Sequence, residues 1–380
     1  MIIWRLFPLA IVLFALLRFV VPLKIGKWWK VAMGGLVLAM PLQRLLISFF
    51  YRGLAPSETP AWAILLQGIF LSAVVLLAAL VILRDIALVV LWACRKKIAW
   101  FHASSARLAL GMFGAALLLS CYGAWQAARV PSIRHVEITI PNLPPELDGL
   151  AIVQLTDLHA TKLFDEKWMQ AVVERTNELN PDLVLLTGDI VDGSPRARQG
   201  DVAPLAELRA KLGVFGAPGN HDNFSGQSGW IGIFKEMGIA ILINEHVEFT
   251  IGGSKLVLAG LADRSYLWRG GPPPDLAAAL EGTPKGAPII LMAHQPGGAS
   301  ENAEAGVSLQ LSGHTHGGQV MGLKMIVKAA NDGYVSGLYD VDGMKLYVCN
   351  GAGLWTGLPV RLGVPSEIAH LVLRTPKVAE

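Results

Sequence analysis

The sequence predicts two parts of different physical class. An N-terminal multi-span α-helical membrane region is followed by an α/β (α+β) domain, a mixed sheet sandwich flanked by helices. Three observations predict this. Of 380 residues, 53% are hydrophobic and only 16% charged, with a mean hydropathy of +0.48, which is too apolar for a disordered, collagen-like or wholly water-soluble chain. Charge is also split. Ahead of residue 130 stand 13 Lys and Arg against two acidic residues, Glu58 and Asp85, and beyond it 19 against 27, so the net +3 joins a basic hydrophobic half to an acidic polar half. Finally, from about Pro131 the long apolar stretches give way to short runs punctuated by Gly, Pro, Asn and Asp. That shift marks a domain boundary, with residues 1–130 on one side and 131–380, about one domain's worth, on the other.

Within the first part, four apolar stretches run from Ile2 to Val21, Val31 to Phe50, Ala61 to Leu83 and Leu108 to Ala128. Each is near the ~20 residues that cross ~30 Å of hydrocarbon as helix. The first is read as a retained span, because three more follow and no small-residue cleavage site ends it cleanly. Arg18 and Arg44 lie late in their spans, where long side chains snorkel to the interface, while Pro8 and Pro41 are kink positions. The third stretch is interrupted by Arg84 and Asp85 before continuing to Cys94, which suggests a span followed by an interfacial helix. Lys24, Lys27 and Lys30 lie between spans one and two, and Arg95, Lys96, Lys97 and Arg107 between three and four, whereas the middle loop offers Arg52 near the membrane against Glu58. The positive-inside rule then puts the first and third loops in the cytoplasm and everything after Ala128 outside. Trp28, Trp29, Trp62, Trp92, Trp100 and Trp125 gather near span ends, as interfacial belts require.

The second part alternates strand-like and helical patterns. His135 to Ile140 alternates, Leu150 to Leu155 and Leu183 to Thr187 are short continuous runs typical of buried strands, and Glu166 to Leu179 between them has helical period. Further strands are expected at Val247 to Ile251, Lys255 to Ala259, Pro288 to Ala293, Val307 to Leu311, Lys324 to Lys328 and Met344 to Cys349. Because helices thin out toward the carboxy end and strands do not, a mixed sheet sandwich is favoured over a single doubly wound sheet. Three cysteines, Cys94, Cys121 and Cys349, give no disulfide framework and no Cys-based zinc site. The soluble half is acidic and would repel a phosphate backbone, so nucleic acid is excluded as a partner. Nothing in the sequence fixes an oligomeric state.

The polar residues that stand just beyond the strands carry the chemistry. Thr156-Asp157-Leu158-His159 places two ligand-type side chains two apart, and Gly188-Asp189 does the same for one carboxylate after the next strand. Then come Gly219-Asn220-His221-Asp222, Ala293-His294-Gln295 and Gly313-His314-Thr315-His316-Gly317, each after an apolar run. Singly these are weak, since an Asp after a strand is usually a turn former or cap. Together they take up five of the nine His, and they sit where α/β folds bind ligands, at the carboxyl edge of a sheet.

In that order, Asp-x-His, Gly-Asp, Gly-Asn-His-Asp, a lone His and Gly-His-x-His, the blocks resemble the calcineurin-like metallophosphoesterases, most closely their small membrane-associated bacterial branch. The resemblance covers Pro131 to the end, with no block missing. It implies a four-layer sandwich and two divalent metal ions. One ion would be held by Asp157, His159 and His316, the other by Asn220, His294 and His314, with Asp189 bridging both. His221 would be the catalytic residue, a proton donor to the leaving oxygen or a charge stabiliser. Mixed carboxylate and imidazole donors suit Mn, Fe or Zn, and a bound hydroxide is then the natural nucleophile, so no Ser or Cys is required. Asp192 and Asp222 are expected to hold turns or imidazoles. Asp263 and Arg264 are candidates for substrate phosphate, with a surface ion pair as an equal reading, and Arg361 is a weaker one.

The expectation is a multi-pass cell-membrane protein whose extracytoplasmic domain hydrolyses a phosphomonoester, phosphodiester or pyrophosphate bond of a cell-envelope or lipid-linked substrate, at the membrane lipid bilayer. Trp230, Phe234, Trp268 and Trp355 are the candidates for an apolar lip dipping toward the lipid. The rival readings are a cytoplasm-facing pyrophosphatase of a nucleotide-linked lipid precursor, a catalytically inactive receptor or scaffold, and a transporter. Intact ligand blocks disfavour the inactive form, and the scarcity of charge within the spans disfavours the transporter.

Overall fold

A computed structural model describes residues 10–50, 58–94, 106–268 and 271–376, with the backbone alone for 40–50, Gln227 and Trp268. The chain divides into two compact units, Met1–Gln126 with Thr356–Leu362, and Ala127–Trp355 with Gly363–Glu380.

The first unit is helical: α1 (Ala10–Val20), α2 (Lys27–Phe50), α3 (Ala61–Ala93) and α4 (Ala106–Ala128). Among the described residues two helices, α3 and α4, are long and apolar enough to cross a bilayer. Of the four expected spans, two therefore correspond to helices long and apolar enough to cross, by length and composition alone. Ile2 to Leu9, the side chains of Pro41 and Arg44, Arg52, the basic cluster Arg95, Lys96 and Lys97, and Trp100 lie outside the described residues. Trp28, Trp29, Trp62, Trp92 and Trp125 are all exposed, as aromatic belts need.

The break expected at Arg84 and Asp85 does not occur. α3 runs on as one helix of 33 residues, about 50 Å long at ~1.5 Å per residue. The Asp85 carboxylate takes Arg84 Nη2 at 2.7 Å on one oxygen and Arg18 Nη2 at 2.7 Å on the other, and Arg84 also donates to the Arg18 carbonyl at 2.9 Å. Charges paired in this way no longer need water, so they interrupt neither the helix nor its packing. For the same reason Arg18 pairs across the unit instead of snorkelling.

Thr356–Leu362 also belongs to this unit. The Arg361 N–H donates to the Gly123 carbonyl at 2.9 Å, and a Cβ on Gly123 would stand 2.5 Å from Val360 Cγ1, so only glycine admits the segment there. Arg361, a candidate for substrate, is buried in this helical unit.

The second unit is the sandwich. Its strands are β1 (Ser132–Thr139), β2 (Ala151–Leu155), β3 (Leu183–Thr187), β4 (Val214–Ala217), β5 (Ile239–Ile241), β6 (Glu245–Ile251), β7 (Ser254–Gly260), β8 (Ile289–Met292), β9 (Leu309–Ser312), β10 (Gly337–Val341), β11 (Met344–Val348) and β12 (Glu367–Arg374). Between them lie α5 (Glu166–Asn177), α6 (Pro195–Val202), α7 (Asn220–Phe224), α8 (Gln227–Glu236), α9 (Leu276–Ala279), α10 (Ala299–Glu304) and α11 (Lys324–Ala330). One six-stranded sheet has the order β1-β12-β2-β3-β4-β5 and the other β10-β11-β9-β8-β7-β6. Both are mixed: β2 to β5 run parallel with β12 antiparallel to β2, and β7, β8, β9 and β11 run parallel between antiparallel β6 and β10.

Strand alternation builds the layers. Leu183 and Leu185 of β3 face a core shared with Leu256, Leu258, Ile290, Met292, Leu309 and Leu311 of the other sheet. Val184 and Leu186 point the other way, onto Trp168, Met169, Val172 and Val173 of α5. Val257, Ala259 and Leu291 in turn cover Ala279 and Ala299 of α9 and α10. Helix, sheet, sheet, helix is the resulting stack. α5 begins where Asp165 Oδ1 accepts from Trp168 N at 3.1 Å, a side-chain N-cap.

The Lys324 to Lys328 run is helix, not strand. Met325, Ile326 and Val327 read as a buried strand, but the first two are exposed and no strand pairs with the segment. Trp230 and Phe234 stack on each other at 5.5 Å inside the core, so they form no lip, while Trp355 is 37% exposed. The Trp268 side chain lies outside the described residues.

Candidate metal centre

Each motif block begins where a parallel strand ends. Asp157 and His159 follow β2, Asp189 follows β3, Asn220 and His221 follow β4, His294 follows β8, and His314 and His316 follow β9. The loops therefore converge from two facing sheets, where the sequence suggested one edge. Gln154 fastens those sheets, since its buried Nε2 donates to Thr187 Oγ1 at 2.7 Å and to the Ser312 carbonyl at 3.0 Å.

Two clusters result. Asp157, His159 and His316 bring ligand-type atoms together, and so do Asp189, His294 and His314. Asp189 also approaches the first cluster. His159 Nε2 is 3.7 Å from Asp189 Oδ2 and 3.8 Å from Asp157 Oδ1, His316 Nε2 is 3.5 Å from Asp157 Oδ1, and His294 Nε2 is 3.2 Å from Asp189 Oδ2. His221 joins a third grouping with His159 and Asp189, its ring edge-on to His159 at 4.7 Å.

The backbone is bent to make this possible. Asp157, His159, Asp189, His314 and His316 all have φ between 46° and 67°, a region that costs ordinary residues energy and persists where surrounding contacts dictate it. Those contacts are explicit. Asp157 N donates to Gly188 O and His159 N to Asp189 O, both at 3.0 Å, while Gly353 N donates to Asp157 O at 2.9 Å. The His314 N–H reaches the Asp157 carboxylate at 3.1 Å, and the His221 N–H reaches Asp189 Oδ1 at 2.8 Å. A Cβ on Gly219 would collide with the Asp189 carboxylate and backbone nitrogen.

The donor set fits metal ions. Asn220 Oδ1, His294 Nε2 and His159 Nε2 are buried with no hydrogen-bond partner, which a folded protein rarely tolerates without an ion or water to fill the place. His294 Nδ1 donates to the Thr187 carbonyl at 2.9 Å, fixing the tautomer that turns the Nε2 lone pair inward.

Electrostatics separate the roles. Burial would raise Asp189, but the His294 and His221 charges hold it well below the usual carboxylate range. Burial likewise opposes protonation of His294, and Asp189 overrides it, keeping His294 well above the ordinary histidine value. His314 is pushed down by burial and by His294. His221 is lifted to about 9: burial opposes this, and Asp189 and Asp192 outweigh it.

Asp192 was expected to hold a turn or an imidazole, and it holds two: Oδ1 pairs with His221 Nδ1, and Oδ2 lies 3.3 Å from His159 Nδ1. Against burial, those imidazoles keep it ionised far below its ordinary value. Asp222 ties loops together by accepting from the N–H groups of Ile190, Val191 and Gly219 at 2.8, 3.0 and 2.8 Å. Burial and the Asp189 charge raise it to about 7. Among the described residues no ion pair joins Asp263 to Arg264. Asp263 is buried and accepts from Gln295 Nε2 at 2.9 Å, and both residues line a cavity of about 240 Å³ that extends to His294, Glu301 and Asn302. The sequence missed the contribution of Gly353, which holds Asp157 from a loop almost two hundred residues away and carries no local signal.

Residues 150–318 match the family model described as calcineurin-like phosphoesterase. An uncharacterized metallophosphoesterase of Helicobacter pylori is 35% identical over 268 residues, 70% of this chain and 70% of that one. The chain belongs to the calcineurin-like metallophosphoesterases. A metallophosphoesterase of Bacillus subtilis, YkuE, is 31% identical over 280 residues, 70% of this chain and 96% of its own. A transmembrane protein with metallophosphoesterase domain from Danio rerio is 36% identical over 266 residues, 68% of this chain and 60% of its length. This chain therefore spans about 60% of that transmembrane relative. The transmembrane relatives together with α3 and α4 point to membrane association.

Proposed function

We propose that this metallophosphoesterase is membrane-anchored and dinuclear, and that it hydrolyses a phosphoester or pyrophosphate bond of a cell-envelope or lipid-linked substrate. The observation that carries the reading is the pair of ligand clusters meeting at Asp189, with the buried Asn220 oxygen left for an ion to satisfy. Asp157, His159 and His316 would hold one ion, Asn220, His294 and His314 the other, and Asp189 both. Divalent ions held there would supply positive charge to the phosphoryl oxygens and bring the pKa of water toward ~7.

The rest of the work falls to the chain's own groups. Asn220 provides a donor oxygen without negative charge, so it does not repel the incoming phosphate. His221 is only half-buried, and with Nδ1 engaged by Asp192 its Nε2 is the atom that carries a proton to the departing oxygen. Asp192 is thus a positioning residue, fixing one ring in each role. The cavity beyond His294, with the Arg264 guanidinium on its wall, is the place for the part of the substrate that leaves. Tethering near lipid favours an envelope phosphoester, and the excess of Lys24, Lys27, Lys30, Arg95, Lys96, Lys97 and Arg107 in the two proposed inner loops supports an orientation with the domain outside the cytoplasm.

Asp189→Asn is the test. An amide cannot supply two anionic oxygens, so bis-nitrophenyl phosphate hydrolysis should disappear while circular dichroism stays unchanged. Full activity with intact metal content would remove Asp189 from the bridging role.

A further inference from the structure

Most of the sandwich unit's large apolar side chains are buried, yet three exposed ones fall within six residues: Met321 is 71% exposed, Met325 74% and Ile326 58%. They occupy the 3₁₀ turn Met321–Leu323 and α11. Lys324 and Lys328, four residues apart, share one edge of the helix, with Met325 and Ile326 on the neighbouring face. Both lysines are exposed, and the stretch from Val320 to Ala330 has no acidic residue. Apolar side chains beside lysines whose stems can lie along them form an interfacial pattern.

Two further contacts fix the element within its own unit. Val320 pairs with Gly363, and a Cβ on Gly363 would stand 3.3 Å from Met321 Cε. Gly363 follows directly in the chain on Thr356–Leu362, the segment counted with α3 and α4. With no acidic residue among Val320–Ala330 and two exposed lysines, the face is complementary to an anionic surface. At its other side Gly318 lies against Lys324, with 3.0 Å from a Gly318 Cβ to the Lys324 Cα, so α11 leaves the His314–His316 loop without a spacer.

We propose that Met321–Leu323 and α11 form a membrane-docking element whose occupant is an anionic phospholipid surface. Met321, Met325 and Ile326 enter the headgroup boundary, Lys324 and Lys328 meet lipid phosphates, and the rim of the metal centre is seated where a lipid-borne phosphoester presents itself. The inference rests on the membrane anchoring proposed above.

The experiment uses the full chain with Cys94→Ser and Cys121→Ser, the buried Cys349 being retained, and an environment-sensitive fluorophore on Met325→Cys or, as comparator, on the exposed Asp342→Cys. Protein is reconstituted into liposomes of phosphatidylcholine with or without phosphatidylglycerol, carrying brominated acyl chains as quencher. The expected result is that the chain floats with the liposomes and that the probe at position 325, not at 342, is quenched more strongly with the anionic lipid. Lys324→Gln with Lys328→Gln should cut that anionic increment at least about twofold, since each lysine near such a surface contributes measurably to attraction. A chain that floats with an unquenched, iodide-accessible probe overturns the docking element and leaves the anchoring intact. Failure to float overturns the anchoring and this inference with it. Shielding that follows protein density instead of lipid charge makes the patch a contact between copies, and also overturns it.

Discussion

Replacing His221 by Ala removes an imidazole that sits against Asp192 and beside His159, yet leaves both ligand clusters whole. Metal content should stay at the wild-type level while kcat falls by about 10² to 10⁴, the usual contribution of a positioned proton carrier. A substrate whose leaving group needs no proton should lose much less. Asp192→Asn acts one step further out. It keeps the size but weakens the hold on both rings, so a fall of about 10- to 100-fold is expected, with the pH profile of kcat shifted to lower pH because His221 loses one of the carboxylates that raise it. Loss of an ion in His221→Ala, read by mass spectrometry, would make His221 a ligand. These residues were legible in the sequence because each is a polar block after an apolar run. Asp192 was legible only as a nearby carboxylate, since nothing local announces that its two oxygens serve two different histidines.

At the scale of the element, the site is a set of strand ends. β2, β3, β8 and β9 could be read as continuous apolar runs, and the motifs at their ends marked the loops that matter. β4 and β5 were not read, because Val214–Ala217 and Ile239–Ile241 are too short to carry a period, and Gly216 breaks the first of them. α11 was misread for the opposite reason, since three successive apolar residues look like a buried strand until their exposure is known. The loops also bear on how the proposed ions would be taken up. Among the proposed ligands His294 has its pKa raised well above the ordinary histidine value, against burial, by Asp189, which favours a proton where an ion would need the imidazole lone pair. Ligation requires the neutral ring, so proton and ion compete. Affinity should rise with pH and fall on acidification, and loading at neutral pH should release protons. Calorimetric titration of Mn or Zn in two buffers of different ionisation enthalpy measures this. Identical heats in both would mean that His294 is already neutral or does not bind.

For the whole molecule, the hydropathy break near Pro131 is where the sequence draws its boundary, and it could not show that Thr356–Leu362 returns to the helices. That segment has too few residues to stand out in composition, and its place depends on Gly123, a residue with no side chain to reveal a partner. Nor could hydropathy show that Arg84 and Asp85 would stay within one helix, because the neutralising partner, Arg18, lies 67 residues away. The proposed orientation has its own check. Alkaline phosphatase fused after Glu380 should be active and a cytoplasmic fluorescent protein at the same position dark, and the reverse pattern would place the domain inside the cell.

The account stands on two ions held by seven side chains that meet at Asp189. Metal stoichiometry of the purified full-length chain tests it most directly, measured for the wild type, His316→Ala and His314→Ala. Two ions per wild-type chain and a drop toward one in each variant are predicted, since each substitution strips a ligand from a different cluster. A wild-type chain that binds no transition metal, or variants that keep both ions, would contradict it.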